Sequence, residues 1–217
     1  MTQITLIIGN KNYSSWSLRP WIFMRYFELP FKENRIALFE ETTKNLLEPY
    51  GSNYKVPILQ DGDLVIWDSL AIVEYLSEQY LAGKGWPENA SARGLARTVS
   101  AEMHAGFTDI RNALPMNCRK KFPGFTIEPN VQADIDRIKQ LWRLCRKQYG
   151  QDGPWLFGKF SIADAMYAPI VLRFIGYDVP LEGIEADYVN EVLQLTALQE
   201  WIEAGTAETE VIKIDEV

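Results

Sequence analysis

The strand-forming patterns of this chain lie in its first third, and the rest of the sequence is helical in character. Residues 3–8 are apolar and β-branched, which is typical of a buried strand. A helix is predicted from near Ser17 to about Glu28, with Pro20 in its first turn, and residues 31–37 predict a second strand. A β-α-β unit of this length predicts two parallel strands.

A hairpin and a third helix complete the strand-bearing part. The stretch "KVPILQDGDLVIWDSLAIVEYLSEQY" contains two short apolar runs around Asp61-Gly62, a hairpin signal, and a helical pattern from Ser69. The segment from Glu40 to Lys55 has poor periodicity, so we expect it to be irregular or a frayed helix. The predicted order is β-α-β-(α)-β-β-α, with an antiparallel last pair.

Beyond this part the apolar residues recur at helical spacing. Ser161 predicts a helix cap, with the Asp164 carboxylate reaching back to the cap amide. One apolar face of a long helix is formed by Val131, Ile135, Ile138, Trp142, Cys145 and Tyr149. We therefore predict an α/β domain over residues 1–81, a linker over 82–90 that is rich in glycine, and an all-helical domain over 91–217.

Composition excludes several classes of protein. Of the 217 residues, 47% are hydrophobic and 12% aromatic, which argues against disorder. The net charge is −7 and neither half of the chain is basic, so nucleic acid is not an expected partner. The basic run Arg119-Lys120-Lys121 is predicted to be a solvated face. No apolar run approaches ~18 residues, so we expect no membrane association and a cytoplasmic protein with reduced thiols.

The sequence is poor in metal ligands. His104 is the only histidine, and Cys118 and Cys145 have no CxxC spacing. We therefore expect no metal site and no Ser-His-Asp triad. His104 is predicted to be a helix-surface or packing residue.

Two further motifs lie where elements meet. In "YSSWSLRPW" three hydroxyl residues stand between the first strand and the first helix, where serine is a good helix cap. Pro57, at the start of the third strand, is either an edge proline or part of a cis Val56-Pro57 bond that presents the Val56 backbone to a bound peptide. "DSL" at Asp68-Ser69 is an ordinary helix cap unless a ligand binds there.

Taken in order, these motifs resemble the glutathione S-transferase family, closest to its zeta-like, serine-type bacterial members. "SSWS" followed by Leu18-Arg19 is similar to the zeta-class segment Ser-Ser-Cys-Ser-x-Arg. The proline before the third strand, "DSLAIVEYL" and the capped helix at "SIADAMYAP" also match family motifs. The resemblance implies a thioredoxin-like N-terminal domain, an all-helical C-terminal domain and glutathione as co-substrate.

The resemblance implies roles for residues at the first helix. Ser14 is expected to face the glutathione thiol, with Ser15 as the alternative, and Ser17 is expected to be the helix N-cap. Arg19 either adds positive potential or lies on the surface. Tyr13 is expected to pack or to line the substrate pocket.

It also implies how glutathione is held. The Val56 backbone would pair with the cysteinyl unit and Asp68 with the ligand's ammonium group. Ser69, at a helix N-terminus, would receive the γ-glutamyl carboxylate. Lys44 or Lys55 would meet the glycyl carboxylate.

The chain departs from the zeta pattern in two places. Trp16 stands where that class has cysteine, and the spacing of Arg173 from the capping motif does not match the family's arginine. Both departures place maleylacetoacetate isomerisation in doubt. Helical spacing alone suggests that Met103, Phe107 and Arg111 line the pocket of the electrophile.

The sequence leaves four candidate functions. The preferred one is a homodimeric glutathione transferase acting on an electrophilic small molecule. A glutathione-dependent cis–trans isomerase of the maleylacetoacetate or maleylpyruvate type and a non-catalytic interaction module are the alternatives. A glutaredoxin-like activity is disfavoured because no cysteine lies in the active-site segment.

Overall fold

A four-stranded sheet with three helices forms the first part of the chain. The computed structural model describes residues 4–217, so residue 3 of the predicted first strand lies outside the described residues. The strands β1 to β4 are Ile4–Ile8, Phe31–Arg35, Ile58–Asp61 and Leu64–Trp67, and they lie in the order β2-β1-β3-β4. The pair β1/β2 is parallel and the pair β3/β4 is antiparallel, which confirms both predicted pairings. The pair β1/β3, which the sequence did not predict, is antiparallel.

The first helix begins earlier than its sequence suggests. Helix α1 spans Ser15–Tyr26, so Ser14 and not Ser17 occupies the N-cap position, and the predicted end at Glu28 is two residues too late. Pro20 consequently lies in the second turn of the helix and not in its first. The Ser17 hydroxyl accepts a hydrogen bond from the Gly9 amide at 3.1 Å, so it ties the first turn to the end of β1.

Two segments connect the elements of the first part. The stretch predicted to be irregular holds a short helix, α2 (Thr43–Leu47), and a 3-10 turn at Glu48–Tyr50. Helix α3 spans Ser69–Leu81, as predicted, and packs with α1 on the sheet. Residues 82–89 of the predicted linker 82–90 lie between α3 and the next helix, and Ala90 already begins that helix.

Six helices follow. They are α4 to α9, at Ala90–Ala105, Thr108–Ala113, Pro129–Tyr149, Ile162–Gly176, Ile184–Gln194 and Thr196–Ala207. Helix α7 is central: every residue except Ile175 is buried, and it packs on both α1 and α4. Helix α6 buries the predicted face, with Tyr149 half-buried at its end. None of the described helices is long and apolar enough to cross a membrane.

The predicted cap of α7 is present. Asp164 accepts a hydrogen bond from the Ser161 amide at 2.8 Å and from the Leu156 amide at 3.0 Å. The carboxyl group is only 1% exposed. Because burial disfavours its charged form, the pKa of Asp164 is raised to about 6.

Candidate active site

Ser14 lies at the N-terminus of α1, in the turn that follows β1. Its hydroxyl donates to the Ser17 hydroxyl at 2.8 Å, and its amide donates to the Asn10 carbonyl at 2.8 Å. The Ser14 side chain makes no hydrogen bond to the backbone of α1, and the residue is 8% exposed. The helix N-terminus therefore combines its positive end with a hydroxyl that does not cap it.

Ser15 faces the second, helical part of the chain. Its hydroxyl accepts a hydrogen bond from the Arg173 Nη2 at 3.2 Å, a contact that uses the oxygen of the hydroxyl and not its proton. Because its spacing from the capping motif does not match that of the family's arginine, Arg173 was not predicted to be a site residue. The structure brings it there because α7 packs directly on α1.

Trp16 is the centre of a cluster of basic side chains. The guanidinium carbons of Arg19 and Arg111 lie 4.2 Å and 4.6 Å from the centre of its ring. His104 contacts the same ring edge-on at 5.3 Å. Arg19 is 2% exposed, so the alternative that placed it on the surface is wrong.

This cluster carries an excess of positive charge. Among residues 4–217, no carboxylate lies within 4.0 Å of the guanidinium nitrogens of Arg19, Arg111 or Arg173. Burial, and then the neighbouring arginines, hold the pKa of Arg19 well below its usual range. The same causes lower the pKa of Arg173 to about 10. The Arg19 Nε is buried and has no hydrogen-bond partner among the described residues, so the cluster is suited to an anion.

Asp68 and Ser69 begin α3 beside this cluster. One Asp68 oxygen accepts the amides of Leu70 and Ala71 at 2.9 Å and 3.2 Å, so the residue is a true helix cap. Asp68 has a φ of +82°, and its side chain is 41% exposed. The buried Ser69 hydroxyl accepts from the Arg19 Nη1 at 3.4 Å.

His104 joins the two parts of the chain. His104 packs against Trp16, which agrees with the predicted packing role, and its Nε2 also lies 3.0 Å from the second Asp68 oxygen, a contact that the sequence did not predict. Burial lowers the pKa of His104, with Asp68 opposing the shift. A neutral imidazole can donate to Asp68 through Nε2 without contributing a positive charge.

The remaining predicted site residues differ in placement. The Val56-Pro57 bond is cis, which confirms that alternative over a trans edge proline, and Val56 is half-buried. A peptide-binding role of the Val56 backbone stays a prediction. Lys44 and Lys55 are exposed on the segment that precedes it. Three residues were predicted to line the electrophile pocket. Met103 and Phe107 are buried in the hydrophobic core, and Arg111 contacts Trp16.

Tyr13 is tied to the C-terminal part of the chain. Its hydroxyl donates to Glu216 at 2.5 Å and accepts from the Arg119 Nη2 at 2.7 Å. Burial, and then Glu216, raise the pKa of Tyr13. Arg119 also donates to the Glu210 carbonyl at 2.9 Å, so the predicted solvated face is wrong for this member of the basic run.

A cysteine from the helical part of the chain approaches the loop between β1 and α1 (residues 9–14), which contains no cysteine of its own. The Cys118 Sγ lies 3.6 Å from the Lys11 carbonyl oxygen. Burial raises the pKa of the Cys118 thiol to about 12, so it is protonated at neutral pH and a poor nucleophile.

Two family models match this chain. The model of the glutathione S-transferase N-terminal domain matches residues 13–79, and that of the glutathione S-transferase C-terminal domain matches residues 128–204. Together they cover about two thirds of the chain and both parts of the fold. The chain therefore belongs to the glutathione S-transferase family.

Individual relatives are distant. A dichloromethane dehalogenase of Methylophilus leisingeri is 38% identical over 66 residues, which is 30% of this chain and only a quarter (25%) of that protein. A probable maleylacetoacetate isomerase of Caenorhabditis elegans is 24% identical over 181 residues, 82% of this chain and 83% of that protein. A solved structure of a Burkholderia glutathione transferase homolog with bound glutathione has a TM-score of 0.70 at 21% identity, covering 95% of this chain and 100% of that one. The solved structure shows that the two proteins share a fold.

Proposed function

We propose that the protein is a glutathione transferase that binds the glutathione thiol as a thiolate and directs it at an electrophilic small molecule. The observation that carries the proposal is the start of α1, where the hydroxyls of Ser14 and Ser15 lie at a helix N-terminus beside Arg173. A thiol of ordinary pKa, about 8.5, is mostly protonated at neutral pH, and the thiolate is the nucleophile. Lowering that pKa by two units requires about 2.7 kcal/mol of preferential thiolate stabilisation.

The start of α1 has groups that supply this energy. A hydroxyl that donates to a charged acceptor contributes about 1.5–3 kcal/mol, and an exposed helix N-terminus adds about 0.3–1 kcal/mol. In this proposal the Ser14 proton turns from the Ser17 hydroxyl to the sulfur. The exchange is favourable because a charged acceptor replaces a neutral one, and Ser17 keeps its bond from the Gly9 amide.

The rest of glutathione is held along β3 and α3 in this proposal. The Val56 backbone pairs with the cysteinyl unit, and the exposed oxygens of Asp68 receive the ammonium group. The γ-glutamyl carboxylate approaches Ser69, where Arg19 already contacts the hydroxyl and adds positive charge. Lys44 or Lys55 meets the glycyl carboxylate, since both are exposed in the segment that precedes β3.

The chemistry conserves atoms and electrons. The thiol proton leaves to water, and a sulfur lone pair forms a C–S bond with the electrophilic carbon. On an activated chloroarene, the C–Cl pair departs with chloride. The protein's own groups bind, orient and stabilise the thiolate, and they are not consumed.

Calorimetry with glutathione tests this function first. We expect binding of reduced glutathione and a rise in melting temperature at millimolar concentration, because a ligand that binds only the native state stabilises it. Cysteinylglycine, which lacks the γ-glutamyl residue, is the control and should bind much more weakly. Absence of both heat and thermal shift with glutathione would favour the non-catalytic interaction module.

The arginine cluster favours a second candidate, a glutathione-dependent cis–trans isomerase of an unsaturated diacid. Arg19, Arg111 and Arg173 are close to Trp16 or Ser15 and lack carboxylate partners within 4.0 Å in the described part of the chain. In this reaction the thiolate adds to one alkene carbon, the resulting single bond rotates, and the thiolate leaves again. Turnover of a maleyl diacid and not of a chloroarene would establish the isomerase.

Arg111→Gln sharpens that choice. If the substrate is a diacid, the variant should raise KM for the diacid by about tenfold or more, because a charge-assisted contact is worth about 1.5–3 kcal/mol. Glutathione affinity should change little. The exposed Arg137 pairs with Glu102, so Arg137→Gln is a matched control.

We also propose a homodimer, which rests on the family resemblance. Light scattering should then give about twice the chain mass of 24.9 kDa. A mass near that of one chain would refute the dimer without affecting the thiol chemistry.

A further inference from the structure

A carboxylate from the end of the last long helix binds the loop that precedes Ser14. Glu208 follows α9 directly, and its two oxygens accept the Lys11 and Asn12 amides at 2.8 Å and 3.0 Å. The Glu208 side chain is only 8% exposed. Two consecutive amides on one buried carboxylate form a directional contact that a random surface glutamate does not make.

The close approach of α9 to this loop requires a small residue. A Cβ on Gly205 would lie 3.0 Å from the Asn12 nitrogen and 3.0 Å from the Lys11 carbonyl carbon. Both atoms belong to the backbone, which cannot rotate away as a side chain can. Gly205 therefore lets the last turn of α9 reach the loop, and Glu208 then binds it.

The same loop is held from a second side. The Asn12 Oδ1 accepts the amides of Cys118 and Arg119 at 2.9 Å and 3.0 Å. Within the loop, the Asn10 carbonyl accepts the Ser14 amide. The position of the Ser14 backbone thus depends on a turn whose middle is fixed by Glu208 and by the segment at Cys118.

We propose that Glu208 is a positioning residue for the thiol site, holding the loop that presents Ser14 and Ser15 to glutathione. The catalytic consequence of this inference rests on the proposed transferase function. The hydrogen bonds between Glu208 and the loop do not depend on that function. Glu208 touches no reacting atom in this account. It acts through the Lys11 and Asn12 amides.

The expected consequence is a loss of turnover without a loss of binding. A hydroxyl must lie within hydrogen-bond reach of the sulfur, and a displacement of about 1 Å costs on the order of a hundredfold in rate. Glutathione itself is held in the proposal by Val56, Asp68 and Ser69, on the other side of the site. The loop and the binding groups therefore contribute to different kinetic constants.

Glu208→Gln tests the proposal with little change in shape, because the amide keeps one acceptor oxygen and loses the charge and the other acceptor. We expect kcat with glutathione and a chloroarene to fall by about tenfold to a hundredfold, while KM for glutathione stays within about twofold. Amide hydrogen exchange at Lys11 and Asn12 should accelerate by about tenfold or more. Glu210→Gln is the matched control, because Arg35 pairs with both carboxylates, at 3.4 Å with Glu208 and at 2.7 Å with Glu210. The control thus separates the loss of an Arg35 ion pair from the loss of the contact with the Lys11 and Asn12 amides.

Each outcome decides the proposal. Unchanged kcat and unchanged exchange in Glu208→Gln would overturn it, as would equal effects in Glu210→Gln or a rise in KM that matches the fall in kcat. If the wild-type protein neither binds nor uses glutathione, the proposed function fails, and the exchange rates still test the hold on the loop. Should Glu208→Gln not fold, Gly205→Ala displaces the same contact. We expect it likewise to lower kcat while KM for glutathione stays nearly constant.

Discussion

Helices α1 and α3 both begin at the candidate site, but they are secured in different ways. The start of α3 is secured locally, because Asp68 accepts the amides of Leu70 and Ala71 two and three residues further on. The start of α1 has no such cap. The loop before it is held by Glu208 and by the amides of Cys118 and Arg119, which are more than a hundred residues away in sequence.

The difference separates two tasks of the site. The groups proposed to bind glutathione belong to a segment that is specified by its own sequence. The groups proposed to activate the thiol depend on the packing of the helical part against the sheet. We therefore expect that disrupting the packing of the helical part impairs activation of the thiol more than it impairs glutathione binding.

The start of α7 is also secured locally, by the capping carboxylate of Asp164, and this group titrates. Asp164 has a folded-state pKa raised from 3.8 to about 6 by burial. As pH rises from about 4 to about 6, the unfolded state loses this proton first, so the free energy of unfolding should fall by about 2 kcal/mol. Urea denaturation across this range measures it.

The control is Asp164→Asn, which keeps one acceptor and does not titrate. The difference in unfolding free energy between the wild type and the variant should narrow as pH rises through this range, because only the wild type pays to ionise the buried group. His104, whose pKa is lowered, contributes equally to both proteins and cancels. A constant difference would mean that Asp164 is already ionised at pH 4 in the folded protein.

Asp68 tests the local side of the site. Asp68→Asn keeps an oxygen for the α3 cap but removes the charge, so glutathione affinity should fall roughly ten- to a hundredfold with little change in stability. Asp68→Ala should lose the same affinity and also about 1 kcal/mol of stability, because the cap is removed and alanine is strained at a φ of +82°. Isothermal titration and urea denaturation measure the two effects. Wild-type affinity in Asp68→Asn would reduce this residue to a helix cap.

Tyr13 tests the contacts that hold the start of α1 through residues distant in sequence. Tyr13→Phe removes the hydroxyl between Arg119 and Glu216, and the free energy of unfolding should fall by about 1 kcal/mol. Glu216 keeps a contact to Asn117 at 3.1 Å, which limits the loss. The pH midpoint of thiolate formation should not move. A midpoint raised by a full unit would instead make the phenol the group that stabilises the thiolate.

Features encoded by neighbouring residues could be predicted from sequence. The parallel pair β1/β2 follows from the short β-α-β unit and the β3/β4 hairpin from the Asp61-Gly62 turn. The cap at Ser161 follows from a carboxylate three residues later. The cis Val56-Pro57 bond was indicated by the resemblance to a family motif, and the structure has it. Each of these signals lies within a few residues of the feature it specifies.

Contacts between distant residues were not visible in the same way. Ser15 meets Arg173, 158 positions away, and Lys11 meets Glu208, 197 positions away. His104 appeared isolated because the side chain it contacts, Asp68, belongs to the other part of the fold. Even the start of α1 was misplaced by two residues, because Ser17 bonds backward to Gly9 instead of capping the helix.

We propose that a serine hydroxyl at the start of α1 stabilises the glutathione thiolate, and a pH titration of the bound thiolate is the sharpest test of this role. Ultraviolet absorbance of bound thiolate is followed against pH in the wild type, Ser14→Ala and Ser15→Ala. Losing about 2 kcal/mol of stabilisation should raise the midpoint by about 1.5 pH units in Ser14→Ala, with glutathione affinity nearly constant and activity partly restored at high pH.

Ser15→Ala is the matched control and should shift the midpoint less. A shift in Ser15→Ala alone would transfer the role to Ser15, which Arg173 contacts. Unmoved midpoints in both variants would contradict the account, and the backbone amides at the start of α1 would then carry the activation.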